Sequence, residues 1–446
     1  MNSLNKDEKK DLVESKVLSW IDGHHDEIAG FLQELIQIPS VNPWFGPKEE
    51  ESREADVQKA IGNRMQALGA EVANWEPNAK ELAKYEGRAG YYADHKFEGR
   101  PNQAAVLKGS GGGRSMLLTG HVDVVPAGNG WTVDPFLGER REGVIYGRGA
   151  VDMKGGIAAM IMAVEAVVKS GYRMKGDVTV GTVVDEEAGG MGTLDFVDKG
   201  YRADACIMTE STDLKVAPLC RGILWGKLII PGRSGHIELP QGDWREGGAV
   251  DAVTLARVFM DHFDRLNADW RLRKTHPYMS IPCQLYIAQV NAGEYPTAFA
   301  NKAELVFDAQ YLPREKDDMG LGSKVKAEIV EFINRVAMTE PWLREHPPVI
   351  EWLIDADCGE TPVEHPFVQT IGESLKKVIS EEMIEGIGFH TDMGWFTNVG
   401  IPTVNFGPGN PSVAHQDNES LEEKELIKAV KTIALTLIEW CGVADA

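Results

Sequence analysis

Between Gln103 and Glu210 short apolar runs alternate with stretches of helical period: "QAAVLKG", "SMLLTGHVDVV", the helical "GGIAAMIMAVEAVVKSG", "DVTVGTVVDEE", the helical "TLDFVDKG" and "ACIMTE". Runs that are apolar on both faces suit strands covered on two sides, and the intervening helices supply the cover. The expectation is an α/β fold with a mainly parallel sheet. In such sheets ligands bind beyond the carboxyl ends of the strands.

The rhythm changes at Arg221. "GILWGKLIIPG", a helix near Gly248 to Leu266, "QLYIAQVNAG", "KAELVFDAQYLP", a helix from about Gly322 to Met338 and "PVIEWLID" read as a compact α+β insert. A chain of 446 residues is too long for one ordinary core. We therefore expect a catalytic domain in two parts, 1–220 and 357–446, interrupted by a smaller α+β domain at 221–356. Ahead of the sheet, a helical region from Asp7 to Ile38 breaks near Gly23 and ends at "IPSVNP", where Pro39 and Pro43 cannot continue it. A helix covers Arg53 to Leu68. The polar, aromatic-spotted stretch from Asn74 to Gln103 has the length of a surface insertion or a lid-like loop. "SLEEKELIKAVKTIALTLIEW" closes the chain as a long amphipathic helix.

A formal net charge of −22 argues against a nucleic-acid or anionic-membrane binder. The first residues are charged and lack the apolar core of a secretory signal, and no apolar run approaches bilayer-spanning length. A cytoplasmic location is the expectation. Cys206, Cys220, Cys283, Cys358 and Cys441 are odd in number and not closely paired, so neither a disulfide framework nor a thiolate zinc site is suggested.

Titratable residues stand where the strands run out. In "LLTGHVDVVP" His121 and Asp123 lie two apart, on one face of a strand. Such a pair is either a satisfied His–Asp hydrogen bond or a metal-ligating imidazole steadied by a carboxylate. Asp152 follows "YGRGA", and the adjacent Gly155 and Gly156 let backbone approach a ligand. Asp185, Glu186 and Glu187 end one strand, Glu210 ends another, and "VNFGPGNPSVAHQDNES" leaves a strand through a Gly/Pro loop to His415. His121, Asp152, Glu187, Glu210 and His415 form a donor set suited to Zn²⁺, Co²⁺ or Mn²⁺. If Asp152 bridges, each of two metals gains one imidazole, one terminal carboxylate and a share of Asp152, and keeps the open position that catalysis needs. Glu186, beside a ligand yet on the other side of the strand end, is the candidate general base.

Other segments carry blander readings. "YGRGAVD" lacks the third glycine of a dinucleotide loop, and "KGSGGGRS" lacks the Lys-Ser/Thr ending of a phosphate loop. His24, His25, Asp26 and Glu27 are neighbours on a helix and point in different directions, as a solvated surface does.

"GHVDVVP", "YGRGAVDMKGG", "DEEAGGMG", "TE", "GRSGH" and "FGPGNPSVAH", in this order and spacing, resemble the M20-type metallopeptidase and deacylase family. The run "RPNQAAVLKGSGGGRSMLLTGHVDVVP" through "WTVDPF" is most similar to its acetylornithine-deacetylase-like branch. The resemblance covers about residue 25 to the C-terminus. It implies two divalent metals, zinc foremost, with His121 and Glu210 on one, Glu187 and His415 on the other, and Asp152 between them. It implies that Asp123 orients His121 and that Glu186 is the base. The inserted domain would form a homodimer, His236 of "GRSGHIELP" would reach the partner's active site, and Arg221 would contact substrate. Thr297 and the loop glycines Gly407 and Gly409 complete the candidate substrate-binding residues.

Two positions depart from the family pattern. Thr297 replaces an asparagine ahead of "AFANKA", and Gln310 replaces the arginine that often binds the substrate's carboxylate. The functional expectation is a di-metal amide hydrolase acting on an N-acyl amino acid or a similar small amide. A dipeptidase or carboxypeptidase would use the same machinery, and a metal-dependent binding protein that has lost catalysis would have no need of Glu186.

Overall fold

The computed structural model describes residues 6–46, 52–381 and 383–445. By its internal contacts the chain divides into two compact units. One runs to Leu219 and resumes over Gly359–Ile387 and from Thr391; the other holds Cys220–Cys358 and Gly388–His390.

The first unit is built on a six-stranded sheet whose spatial order is Glu71–Trp75, Asn102–Leu107, Val178–Val183, Met116–His121, Cys206–Met208 and Thr403–Asn405. The last four run parallel, and only Asn102–Leu107 opposes its neighbours. Helices cover both faces, as the unbroken apolar runs require. Met153 and Ile157 press against Gly120 on one face, and Phe196 of the Met191–Asp198 helix presses against Gly181 on the other. The Lys154–Lys169 helix is buried around nearly its whole circumference, because the Glu423–Cys441 helix lies over its outer side. The N-terminal helical region breaks at His24, between Lys6–Gly23 and His25–Ile36, and the second helix spans Glu54–Ala67. Ser420–Glu422, expected as the start of the last helix, is instead a short strand paired with Val144–Tyr146.

The Asn74–Gln103 stretch, expected as a surface insertion or a lid-like loop, is tied down at both ends and packed along its length. Its two ends are neighbouring strands that pair antiparallel, Asn74 opposite Gln103, and the chain between them buries Leu82, Ala89, His95, Phe97 and Arg100.

The second unit is a four-stranded antiparallel sheet in the order Leu285–Ala292, Lys302–Tyr311, Gly222–Pro231, Val349–Ala356. Burial alternates strictly along its two central strands, the pattern of a sheet with one covered face. The Ala252–Arg273 helix covers that face: Phe263 stacks near Phe307 and Phe332 of the Ser323–Ala337 helix.

Candidate active site

Sheet topology brings five separated residues to one place. His121 is the last residue of its strand, Glu187 lies in the turn after Val178–Val183, and Glu210 lies just past Cys206–Met208. These strands are parallel neighbours, so their carboxyl ends open on the same edge. Asp152 comes in from the turn ahead of the Lys154–Lys169 helix, and His415 from the loop that follows Thr403–Asn405.

Asp152 sits between the imidazoles. Its Oδ1 is 3.1 Å from His121 Nε2 and its Oδ2 is 3.2 Å from His415 Nε2. Glu187 Oε2 is also 3.2 Å from His415 Nε2, while Glu210 Oε1 and Glu186 Oε2 each lie 3.7 Å from His121 Nε2. The site is thus two imidazoles on one central carboxylate, with one further glutamate beside His415 and two beside His121.

Electrostatics shows what kind of ligand suits the cluster. Burial pushes the carboxyls of Glu186 and Glu210 well above their ordinary range, and neighbouring carboxylates push further. Glu187 is raised by burial and by Asp152. Burial opposes ionisation of Asp152 too, but the two imidazoles prevail and hold it below its usual value. His415, hydrogen-bonded to Asp152 and Glu187, is raised to about 11. Crowded, desolvated carboxylates of this kind call for cations. Glu187 Oε1 is buried with no hydrogen-bond partner among the described residues, which leaves a lone pair for one. One ligand atom each from His121, Asp152 and Glu187 lie within 4.8 Å of one another. These donors fit a divalent metal site.

The sequence model of the peptidase family M20/M25/M40 matches residues 117–439. The chain belongs to that family. Membership makes it a hydrolase of amide bonds. It is 28% identical over 97% of its length to the N-formyl-4-amino-5-aminomethyl-2-methylpyrimidine deformylase of Halalkalibacterium halodurans, covering 99% of that protein. It is 30% identical to the Bacillus subtilis protein of that name, covering 92% of this chain and 95% of the relative. A succinyl-diaminopimelate desuccinylase of Leptothrix cholodnii is 34% identical, covering 89% and 94%. Among solved structures, the di-peptidase Dug1p of Saccharomyces cerevisiae superposes with a TM-score of 0.69 at 16% identity, over 96% of this chain and 98% of that one. The YXEP protein of Bacillus subtilis, described as a dinuclear metal binding peptidase of the M20 family, superposes with a TM-score of 0.60 at 14% identity, over 94% and 99%.

Asp123 holds its neighbours differently from the sequence expectation. His121 Nδ1 is 2.8 Å from the Asp123 main-chain oxygen and 3.7 Å from its carboxylate. The carboxylate is committed elsewhere: it accepts from Asn42 Nδ2 at 2.8 Å and from the backbone N–H groups of Glu186 at 3.3 Å and Glu187 at 3.2 Å. It braces the turn that carries both glutamates, and its main chain steadies the imidazole.

Sequence reasoning missed a second brace. Glu419, fully buried, accepts from the N–H groups of Val151 at 2.8 Å and Asp152 at 3.1 Å, and from Arg148 at 2.6 Å. Arg148 in turn donates to the carbonyl oxygens of Pro126 and His415. Arg148 lies in "YGRGA" and Glu419 in "VNFGPGNPSVAHQDNES", but an acid that braces a backbone is indistinguishable in sequence from a solvated one. Gly407 and Gly409 lie where the chain is tightly packed. A Cβ on Gly407 would lie 2.5 Å from the Glu210 carbonyl oxygen, and one on Gly409 would crowd Leu421 and Val151.

The remaining candidates lie in the second unit, in two groups. Arg221 donates to Gln310 Oε1 at 2.8 Å and to the oxygens of Gly388 and Ile281. Burial depresses its basicity, against the opposing influence of Cys283 and Tyr286. His236 is exposed and bridges to Ala298 in a backbone pair, with Ile237 N–H donating to the Thr297 carbonyl at 3.0 Å. His24 stacks on Trp20 and His25 faces Asp22, both apart from the cluster.

Proposed function

We propose that the chain is a di-metal deacylase of small N-acyl amines, with a formamide of an aminomethylpyrimidine as the leading substrate class. The observation that carries the reading is Asp152, offering one oxygen to each imidazole while Glu187 keeps a buried oxygen unpaired among the described residues. His121 and Glu210 would hold one metal, Glu187 and His415 the other, with Asp152 shared, and zinc suits this donor set best, ahead of cobalt or manganese. Bound there, such ions polarise an amide carbonyl and lower the pKa of a water. Glu186 takes the proton of the attacking water and returns it to the leaving nitrogen, a role that suits a buried carboxyl with raised proton affinity.

Gln310 supports the choice of substrate. Its side-chain oxygen is taken up by Arg221, so this position provides no second cation for a free carboxylate. A heterocyclic amine, as named for the deformylase relatives, needs none. The second unit would mediate a homodimer in which His236 stabilises the oxyanion in the partner's site.

The test is a panel assay of zinc-loaded protein on N-formyl-4-amino-5-aminomethyl-2-methylpyrimidine, N-acetyl and N-succinyl amino acids, and dipeptides. The formamide should give the highest kcat/KM. Preference for dipeptides would replace deacylation with peptidase activity, and hydrolysis of none would end the reading.

A further inference from the structure

Among the side chains that the connection between Trp75 and Asn102 buries, two polar ones share a target. His95 and Arg100 are 8% and 7% exposed, and both bind Asp185, which is 1% exposed. His95 Nδ1 lies 2.7 Å from Asp185 Oδ2, and Arg100 donates to Asp185 Oδ1 at 3.1 Å. Each is anchored in turn. Arg100 makes a two-point contact with Glu54, at 2.6 and 3.0 Å, and His95 packs against the rings of Trp44 and Tyr92, both centroids 4.9 Å away.

Asp185 has a reason to need such support. Its φ is +74°, a left-handed conformation that costs a non-glycine residue free energy unless its surroundings impose it. The next residue is Glu186. The peptide that joins them is thus gripped from both sides: His95 and Arg100 hold the Asp185 side chain, and Asp123 accepts the Glu186 N–H at 3.3 Å. A relaxed Asp185 would turn the Glu186 backbone and swing its carboxyl away from His121.

We infer that His95 and Arg100 are positioning residues for Glu186, and that the 76–101 segment is a brace for the proton-transfer group. This rests on the reading of Glu186 as the base. Proton transfer depends steeply on placement, and a shift of about 1 Å costs on the order of 10²-fold in rate.

The experiment compares His95→Phe, which keeps the ring packing without the hydrogen bond, with His95→Asn, whose amide N–H can stand in for Nδ1. Arg100→Lys, which cannot span both Glu54 and Asp185, and Glu186→Gln accompany them. The assay uses the panel amide that wild-type protein hydrolyses fastest. His95→Phe should lower kcat by roughly 10- to 100-fold, with KM, metal stoichiometry and the visible spectrum of the Co²⁺-loaded protein unchanged. His95→Asn should recover most of the loss, and Arg100→Lys should fall between. Wild-type kcat in His95→Phe beside an inactive Glu186→Gln overturns the brace alone. An active Glu186→Gln overturns the base assignment and the brace together. Metal loss in His95→Phe that His95→Asn does not restore would make His95 merely structural and also overturns the proposal.

Discussion

The Asp123 carboxylate receives the backbone N–H of Glu187 at 3.2 Å, while the ring of His121 leans on the Asp123 main-chain oxygen. One residue therefore steadies the imidazole with its backbone and the glutamate turn with its side chain. In Asp123→Asn the imidazole contact survives, so bound metal should stay at the wild-type level. The turn loses acceptor strength, at a cost of about 1–3 kcal/mol in stability, and kcat falls. Elemental analysis decides: loss of metal would mean that the carboxylate orients His121 after all.

Adjacent glutamates should separate cleanly. Glu187→Ala should lower metal content. Glu186→Ala should keep both metals and lose kcat by roughly 10²–10⁴-fold, the weight of a general base. Reversed metal contents would exchange the two roles.

Metal uptake should release protons. His415 is held protonated in the metal-free protein, its pKa raised to about 11 by Asp152 and Glu187. Because the folded value exceeds the ordinary 6.5, this contribution to metal-free stability is complete below about pH 6.5 and is lost as pH rises through about 11. A metal must displace that proton. Calorimetric zinc titrations of metal-free protein at pH 7, in buffers of differing ionisation enthalpy, should report at least one proton released; binding without release would remove His415 from the ligand set.

Glu419→Gln leaves Arg148 without its buried anion and weakens the acceptor for the Asp152 N–H. Breaking a buried pair costs about 3–5 kcal/mol, so the thermal midpoint should drop. Support of this kind carries about 10- to 100-fold of metal affinity. Unchanged zinc affinity in a folded variant would show that Asp152 is held adequately without it.

Cross-complementation addresses the dimer. Mixing His236→Ala with Glu186→Ala protein should form heterodimers in which one site has an intact Glu186 and a donated His236, so activity reappears from two inactive parents. Demonstrated subunit exchange without recovery would show that His236 acts within its own chain or not at all.

Much of this was written in local pattern. Apolar runs buried on both faces specify a strand with helices above and below it, and a parallel sheet puts every strand's carboxyl end on one edge. That is why His121, Glu187 and Glu210 could be grouped before any contact was seen. Thr297 and Gln310 were equally visible as departures from a family pattern. What the side chains of Asp123, Glu419, His95 and Arg100 do was not visible. Each acts on a backbone group or carboxylate that the chain brings near only after folding, Glu419 on Asp152 and His95 on Asp185 at sequence separations of 267 and 90. Periodicity records which face of an element is buried. Which buried polar group meets which depends on the three-dimensional path of the loops, and only the tertiary structure decides it.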